Sequence, residues 1–187
     1  MMQTKNRCAW CEKDDLYRNY HDEEWGKPIY DDQQLFEFLI LETFQAGLSW
    51  YMVLKKRDNF RKAFADFDYQ KVALFNEDKI QELLLDAGII RNKLKVRAAV
   101  ANAIAFIEVQ KEFGSFSNYI WKFTDGKPID NNPKTLKEIP ASTPLSDAIS
   151  KDLKKRGFKF VGTTVVYAHM QATGMVNDHV EGCWTRD

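Results

Sequence analysis

The strongest constraint on the fold is a set of apolar side chains that recur at helical intervals. After Asp31 or Asp32, either of which can cap a helix, apolar residues follow three or four positions apart as far as Phe44. The same spacing recurs in segments 14–24, 49–54, 58–66, 76–86 and 92–112. No segment shows the alternation of apolar and polar residues that is typical of a half-buried strand. The sequence therefore predicts an all-α fold.

The segment 124–144 interrupts this pattern, because four of the five prolines of the chain lie in it. We expect an irregular connection there. Helices then resume, one capped by Ser146 and ending at Gly157, and one from Thr163 or Thr164 to about Ala172. The 187 residues are enough for a single catalytic unit, which this connection would divide into two lobes.

Charge and cysteine content indicate which partners and which cellular compartment suit the chain. Lysine plus arginine and aspartate plus glutamate each number 27, so only local patches could attract nucleic acid. The three cysteines are an odd number, and the first ten residues contain no apolar leader stretch. Both observations favour a reducing cytoplasm. No run of about 18 apolar residues occurs, so we expect no membrane partner.

Two glycines flank a tight turn between the last two predicted helices. Gly157 and Gly162 enclose four residues, and a helix follows from Thr163. Glycines let a backbone approach a phosphate, and a helix N-terminus attracts anions. Lys159 and the basic run 154–156 add positive charge. The residues alone also permit an ordinary helical hairpin with a solvated basic face.

Cysteine and histidine occur near both ends of the chain at spacings that are typical of zinc ligands. His179 and Cys183 lie four positions apart, so one face of a helix would present both. Cys8 could complete the set with His21, or with Cys11 in a C-x2-C pair. Spacing alone does not choose between His21 and Cys11, and unrelated buried thiols are a further reading.

Glu42 stands out because it lies in an apolar helical stretch, where an unpaired carboxylate is costly. Trp50 follows eight residues later, after the break at Gly47. A carboxylate and an aromatic ring together could hold a flat, positively charged ligand. Core packing is the alternative reading for any single aromatic residue.

Several separated stretches resemble one family of enzymes. The stretch GFKFVGTTVVYAHMQATGMVNDH resembles the hairpin and following helix of the helix-hairpin-helix DNA glycosylase superfamily. The stretches YHDEEWG, LETFQAGLSW, VLKKR, GFKFVG and NDHVEGC are similar, in this order, to the constitutive bacterial 3-methyladenine DNA glycosylases of type I. The resemblance covers nearly the whole chain.

This resemblance implies an enzyme that flips 3-methyladenine out of alkylated double-stranded DNA and hydrolyses its N-glycosidic bond. It implies a monomer in the bacterial cytoplasm that acts on chromosomal DNA and releases the free base. One structural zinc ion would join the chain ends. The residues implied for that ion are Cys8, His21, His179 and Cys183.

The resemblance also assigns roles in base and DNA binding. Glu42 would be the catalytic residue, Trp50 and Tyr20 would recognise the base, and Tyr17 and Trp10 would be their neighbours. Leu48 would fill the gap that the flipped base leaves in the duplex. The DNA-binding positions of the hairpin would be Gly157, Lys159, Gly162 and Thr163.

The chain departs from the superfamily pattern at one position. Asn177 stands where many members have a catalytic aspartate, a lack that the type I family shares, and Asp178 is a weaker candidate than Glu42 for a displaced acid. No lysine follows the hairpin at the place of a Schiff-base lysine, so we expect no lyase step.

We assign Trp25 and His169 to structural roles. A non-catalytic DNA-damage binding protein is the main competing reading, since four protein ligands argue against a zinc hydrolase.

Overall fold

The computed structural model describes residues 5–186, and most of this range is helical, as the sequence predicts. The α-helices are α1 Asp15–Glu23, α2 Asp32–Gln45, α3 Trp50–Leu54, α4 Arg57–Ala63, α5 Tyr69–Val72, α6 Glu77–Leu85, α7 Lys93–Phe113, α8 Phe116–Trp121, α9 Pro144–Lys155 and α10 Thr163–Ala172. Single 3₁₀ turns occupy Ala9–Cys11, Ala65–Phe67, Lys122–Thr124 and Leu136–Glu138.

Helix α2 is the centre of the fold. Every residue from Leu35 to Phe44 is buried, and α2 packs against α3, α7, α8 and α10. Large aromatic side chains surround it; the rings of Phe44 and Phe60 lie 4.7 Å apart, for example. A helix that is covered on all sides leaves no solvated face, so any charged residue on it needs a partner or a function.

The predicted N-cap of α2 is confirmed, whereas that of α9 is wrong. The side chains of Asp14 and Asp31 accept hydrogen bonds from backbone N–H groups in the first turns of α1 and α2. The expected cap Ser146 is wrong, because α9 begins at Pro144 and its N-cap is Thr143. Ser146 is instead the third helical residue, and its Oγ accepts a hydrogen bond from the Thr143 N–H at 2.8 Å in a capping box.

The predicted helix 58–66 ends early, at Ala63. Ala65, Asp66 and Phe67 have φ values of 52°, 53° and 56°, which a right-handed helix cannot accommodate. This turn places Phe67 fully inside the core, with its ring parallel to that of Phe64.

The irregular connection 124–144 contains a short strand that the sequence did not predict. Strand β1 (Ile129–Asp130) pairs in parallel with β2 (Val176–Asn177), which follows α10. Strands of two residues are too short to show an alternating pattern. The pairing fixes the connection against the C-terminal segment.

The end of α10 lies directly against the segment that precedes α2. Gly174 has a φ of +68°, and a Cβ atom there would lie 2.4 Å from the backbone of Lys27 and Pro28. The Ile29 N–H donates to the Thr173 carbonyl at 3.1 Å, and the Gly26 N–H donates to the Gln171 carbonyl at 3.1 Å. This close approach requires glycine at position 174.

Candidate active site and metal site

One cavity of about 330 Å³ opens between the N-terminal segment, the end of α2, α3 and α10. It gathers five of the six residues that were predicted to bind the base or catalyse its release: Trp10, Tyr17, Tyr20, Glu42 and Trp50. The sequence reasoning did not identify the other six residues of its lining, namely Trp25, Gln45, Leu136, Ile139, Ala168 and Gln171. Two of these come from the connection 124–144, which thereby forms one wall.

The aromatic rings of the cavity pack edge to face or at a tilt. The centroids of Tyr20 and Trp50 lie 5.3 Å apart, and those of Trp10 and Tyr17 lie 4.9 Å apart. The indole nitrogen of Trp50 is buried and has no hydrogen-bond partner among the described residues. Such walls fit a flat ring, and a buried donor without a partner is available to a ligand.

Glu42 is 3% exposed, and its Oε2 atom has no hydrogen-bond partner within residues 5–186. Burial raises the pKa of its carboxyl to about 8, since the charged form loses its hydration and no cation replaces it. A carboxyl in this state is mostly protonated at neutral pH, and a positive charge that enters the cavity favours its ionised form.

A second buried glutamate on the same helix shows what a structural carboxylate looks like here. Glu37 is 8% exposed, and its Oε1 accepts from the Arg57 Nε at 2.6 Å and lies 2.9 Å from the Arg61 guanidinium. The fold thus supplies two cations to Glu37 and none to Glu42. Of these two buried carboxylates, the one without a cation is the one that lines the cavity.

The end of α2 is held by a buried lysine that the sequence reasoning missed. The Lys95 ammonium on α7 donates to the Phe44 carbonyl at 2.9 Å and also to the Ala46 carbonyl. A cation at a helix C-terminus is favoured by the orphan carbonyls and the helix dipole. Lys95 therefore fixes the turn that carries Gly47 and Leu48.

Leu48, the sixth predicted residue, does not line the main cavity. It is 39% exposed and lines an adjacent depression of about 190 Å³, which shares Glu42, Gln45 and Ala168 with the main cavity. Leu48 therefore lies beside the cavity, between the end of α2 and the start of α10.

The turn between α9 and α10 is held by side chains from outside it. The side chain of Asn102 on α7 accepts from the Lys159 N–H at 2.7 Å and donates to the Lys159 carbonyl at 3.1 Å. The Ser150 hydroxyl donates to the Val161 carbonyl at 2.6 Å. Within the described part of the chain, the N–H groups of Phe160 and Gly162 find no acceptor. The hairpin thus keeps backbone donors free for an anion.

Helix α10 connects this turn to the cavity. The turn precedes its first residue, Thr163, and the cavity is lined by Ala168 and Gln171 farther along. At 1.5 Å per residue, Gly162 and Gln171 are separated by roughly 14 Å along the helix axis. One rigid element therefore sets the distance between the two sites.

Four buried side chains at the two ends of the chain form a group that could hold a metal ion. The ligand atoms of Cys8, His21, His179 and Cys183 all lie within 4.8 Å of one another. The Cys183 Sγ lies 3.4 Å from the His21 Nε2 and 3.6 Å from the His179 Nδ1. Tetrahedral bonds of roughly 2.0–2.3 Å to nitrogen and sulfur give edges of roughly 3.3–3.8 Å. The two separations at Cys183 match these edges, and the group as a whole is somewhat wider.

The remaining ring nitrogens are held by partners outside the group. The His21 Nδ1 lies 2.9 Å from the Asp22 carboxylate, and the His179 Nε2 lies 3.2 Å from the Trp25 carbonyl. Such partners fix the orientation of metal-binding imidazoles. Burial also raises the pKa of the Cys8 thiol to about 12, a cost that a bound cation would offset.

The structure separates the two alternatives that the spacing left open. Cys11 is buried, but its Sγ donates to the Cys8 carbonyl at 3.1 Å and does not belong to the group of four. His21 is the fourth member of the possible metal-binding group.

Trp25 joins the metal group to the cavity, although its position beside Gly26 indicated only a structural role. Its ring lines the cavity and lies 4.6 Å from the His179 ring and 5.0 Å from the Trp10 ring. The metal group therefore lies directly behind one aromatic wall. No sequence signal marks this, because Trp25 and His179 lie 154 positions apart in the chain.

His169, to which we assigned a structural role, is buried, and both of its ring nitrogens lack a partner within the described residues. Burial lowers its pKa to about 4, so the ring is neutral.

Among residues 5–186, no helix has the length and apolar character that a membrane crossing requires.

The family model for methyladenine glycosylase matches residues 10–186 of the chain. DNA-3-methyladenine glycosylase 1 of Escherichia coli K12 is 51% identical over 177 residues, which are 95% of each protein. DNA-3-methyladenine glycosylase of Haemophilus influenzae is 46% identical over 95% of this chain and 96% of that protein. A solved structure of 3-methyladenine DNA glycosylase I from Staphylococcus aureus, which describes 3-methyladenine recognition, is 36% identical in sequence. It superposes with a TM-score of 0.94, and the match covers 99% of this chain and 98% of that one. By sequence and by fold, the chain belongs to the methyladenine glycosylase family.

Proposed function

We propose that this protein is a DNA glycosylase that removes 3-methyladenine from alkylated DNA by hydrolysis of the N-glycosidic bond. The observation that carries the proposal is the unpaired carboxyl of Glu42 inside an aromatic cavity. The two curated relatives and the staphylococcal structure carry 3-methyladenine glycosylase in their names. A base inside a duplex is out of reach of such a cavity, so it must first be flipped out of the stack.

The charge of the damaged base explains why Glu42 has no partner. Methylation at N3 makes the adenine of the nucleoside cationic. This cation supplies the positive charge that no described residue provides to Glu42, so the carboxyl ionises when the base enters the cavity. Stacking against Trp50 and Tyr20 adds cation–π attraction. Undamaged adenine lacks the charge and gains less from the same cavity.

The same positive charge weakens the bond that breaks. The bond between N9 and C1′ opens with both electrons moving to the base, which leaves as neutral 3-methyladenine. Water adds its oxygen to C1′ and releases a proton. The leaving group is already activated, so Glu42 acts by holding the cationic base in the reactive position.

We propose that the reaction is monofunctional. No lysine is among the residues that line the cavity, so no amine is in place to form a Schiff base with the sugar. Asp178 is also a poor candidate for a displaced catalytic acid. It is 1% exposed, does not line the cavity, and accepts hydrogen bonds from Tyr167, Gln171 and Asn131.

The DNA would lie across the hairpin and the mouth of the cavity. In this proposal the turn from Gly157 to Gly162 is a helix-hairpin-helix motif, and its backbone N–H groups, with Lys159 and Thr163, bind phosphates. Leu48 beside the cavity enters the space that the flipped base vacates. A partner strand is needed for that filling, so the substrate is double-stranded.

We further propose that the whole chain acts as one catalytic unit and as a monomer. The connection 124–144 supplies one wall of the cavity through Leu136 and Ile139, so the regions on its two sides form one site. The three cysteines are free and buried, which is typical of a reducing cytoplasm.

The metal would be one zinc ion with a structural role. Two thiolates and two imidazoles are a zinc-selecting set, and four protein ligands leave no position for water. The residues would be Cys8, His21, His179 and Cys183. Such an ion stabilises the fold by tying the chain ends together.

The first prediction tests the proposed activity and the role of Glu42 together. The purified protein should release 3-methyladenine from alkylated duplex DNA, and kcat/KM should rise about tenfold per pH unit between about pH 5 and pH 8. The sign follows because the carboxylate form binds the cation, and the raised pKa makes that form scarce at acid pH. Glu42→Gln should be slower and should lose this pH dependence.

Glu37→Gln is the matched control, since Glu37 is a buried carboxyl of the same helix that already has cations. This variant should keep the pH dependence of kcat/KM, even if the substitution lowers the stability of the fold. Binding of alkylated DNA without any release of base would overturn the proposal in favour of a damage-binding protein. A flat pH profile of the wild type would contradict the role of the Glu42 charge.

The second prediction concerns the hairpin. Gly162 is the N-cap of α10 with a φ of −63°, and a Cβ atom there would meet nothing within 4 Å. Gly162→Asp should therefore fold, because aspartate is a good N-cap, but its charge should repel phosphate. We expect DNA affinity to fall roughly tenfold or more, the equivalent of one charge-assisted hydrogen bond, while affinity for free 3-methyladenine stays unchanged. Gly162→Ser supplies the cap without the charge and should bind DNA normally; equal loss in both variants would refute phosphate binding at this turn.

The third prediction concerns the metal. Elemental analysis should find about one zinc ion per chain, and Cys183→Ser should lose it and unfold at a lower temperature. Cys11→Ser should retain the zinc, since Cys11 lies outside the group of four. Loss of zinc from Cys11→Ser, or a wild-type content well below about half an equivalent, would show that the assignment is wrong.

A further inference from the structure

Three consecutive basic residues follow α3, and the proposed chemistry uses none of them. The Arg57 guanidinium forms ion pairs with two glutamates. The Lys56 ammonium donates to two backbone carbonyls between α6 and α7, at 3.0 and 3.1 Å. These two residues therefore hold the fold together. Lys55 is different, because it is exposed and has no salt-bridge or hydrogen-bond partner in the described part of the chain.

Lys55 shares an aromatic ring with a second unpaired lysine. Its Nζ lies 5.4 Å from the centroid of the Tyr51 ring, and the Lys13 Nζ lies 3.9 Å from the same centroid. Lys13 is also exposed, and it forms no salt bridge with any of residues 5–186. Attraction to the face of the ring keeps both ammonium groups close to it. We call Lys13, Tyr51 and Lys55 the lysine platform.

The acids around the lysine platform already have partners. The Asp14 carboxylate accepts hydrogen bonds from a backbone N–H of α1 and from the Tyr51 hydroxyl. Glu12 and Asp15 both form ion pairs with Arg18. The two platform lysines are thus left available to an anion from outside, even though the formal net charge of the chain is zero.

The lysine platform borders the cavity. The Tyr51 ring lies 5.2 Å from the ring of Tyr17, which lines the cavity, and Trp50 beside it lines the cavity as well. Helices α3 and α10 both pack on α2, and the cavity opens between them. Because the hairpin turn lies at the start of α10, the lysine platform and the turn lie on different sides of the cavity.

A flipped nucleotide is best held from both sides. A nucleotide that leaves the stack stays joined to its strand through a phosphate on each side. A contact with only one of these flanks leaves the other free to pivot, whereas contacts on both fix the position and register of the strand. A lysine ammonium suits this task, since it binds phosphate as a point charge without reading the sequence.

We propose that the lysine platform binds the DNA backbone on the side of the flipped nucleotide that lies away from the hairpin. Lys13 and Lys55 each neutralise a phosphate, and Tyr51 is the positioning residue that holds the two ammonium groups. This inference rests on the proposed function, because it requires a DNA substrate, and it adds a second backbone contact.

The experiment measures the affinity of the protein for a duplex that carries one stable abasic-site analogue, between about 50 and 200 mM salt. Each phosphate contact contributes roughly 0.9 to the slope of log K against log salt concentration. Lys13→Gln and Lys55→Gln should therefore each make the slope less steep by roughly 0.9. Both should also raise KM for alkylated duplex DNA, while binding of free 3-methyladenine shows that the cavity is intact.

Tyr51→Leu tests the positioning role, since it removes the ring and keeps both charges. Its affinity for the duplex should fall at every salt concentration, and its slope should change less than in the lysine variants. Affinity equal to that of the wild type would overturn the role of the ring.

Lys122→Gln is the matched control. The Lys122 Nζ lies 4.2 Å from the centroid of the Phe113 ring, the same kind of contact. Lys122 follows α8, whose first N–H groups donate to Asp32 at the opposite end of α2 from the cavity. Its slope should equal that of the wild type.

Wild-type slopes in both Lys13→Gln and Lys55→Gln, with the duplex still bound, would overturn the inference and leave the glycosylase function standing. The reverse result is a wild type that releases no base while the two variants lose slope as expected. That result would overturn the glycosylase function and support the lysine platform. A wild type that does not bind the duplex would overturn both.

Discussion

A carboxyl group buried without a counter-charge is the interaction on which the rest of this structure depends. Helix α2 is covered on every side, and it carries two buried glutamates. Glu37 forms ion pairs with Arg57 and Arg61, whereas Glu42 has no cationic partner among the described residues and lines an aromatic cavity. Because burial raises the pKa of Glu42 to about 8, the stability of the fold is highest below the ordinary glutamate value of 4.5. It declines as the pH rises from there to about 8. The protein keeps this unfavourable group in a place where a cationic ligand would relieve it.

The surrounding fold holds the cavity rigid around that group. Lys95 fixes the end of α2. Helix α10 forms another side and carries the hairpin turn at its start, so one element sets the distance between the turn and the cavity. Behind the aromatic wall, Trp25 contacts both the cavity and His179. A metal ion at the chain ends would thereby support the wall as well as the termini.

Local patterns in the sequence were enough to predict much of this. The helical spacing of apolar residues predicts α2, and the apolar neighbours of Glu42 mark it as a carboxyl in an apolar setting. Glu37 lies in the same stretch, and only the contacts of the folded chain, which pair Glu37 with two arginines, separate the two glutamates. The resemblance to a known family selected His21 over Cys11, and the structure brings His21 into the metal group. Five predicted base-site residues share one cavity, whereas Leu48 lies in the neighbouring depression.

The features that the sequence did not predict depend on contacts between distant segments. Lys95 caps a helix about fifty positions earlier in the chain. Trp25 has no periodic or motif signal. Ser146 was misjudged by local rules alone, because Thr143 and Ser146 both suit an N-cap and only the helix start decides between them.

The central claim is that Glu42 is a carboxyl whose ionisation is suppressed by burial until a cation arrives. The most direct measurement is a pH titration of the Glu42 side-chain carboxyl by ¹³C NMR in the ligand-free protein, with Glu42→Gln used to assign the signal. The account predicts a midpoint near the value of about 8 that burial imposes. A midpoint near 4.5, the ordinary value for glutamate, would show that the carboxyl is already charged and hydrated in the empty cavity, and would contradict the account.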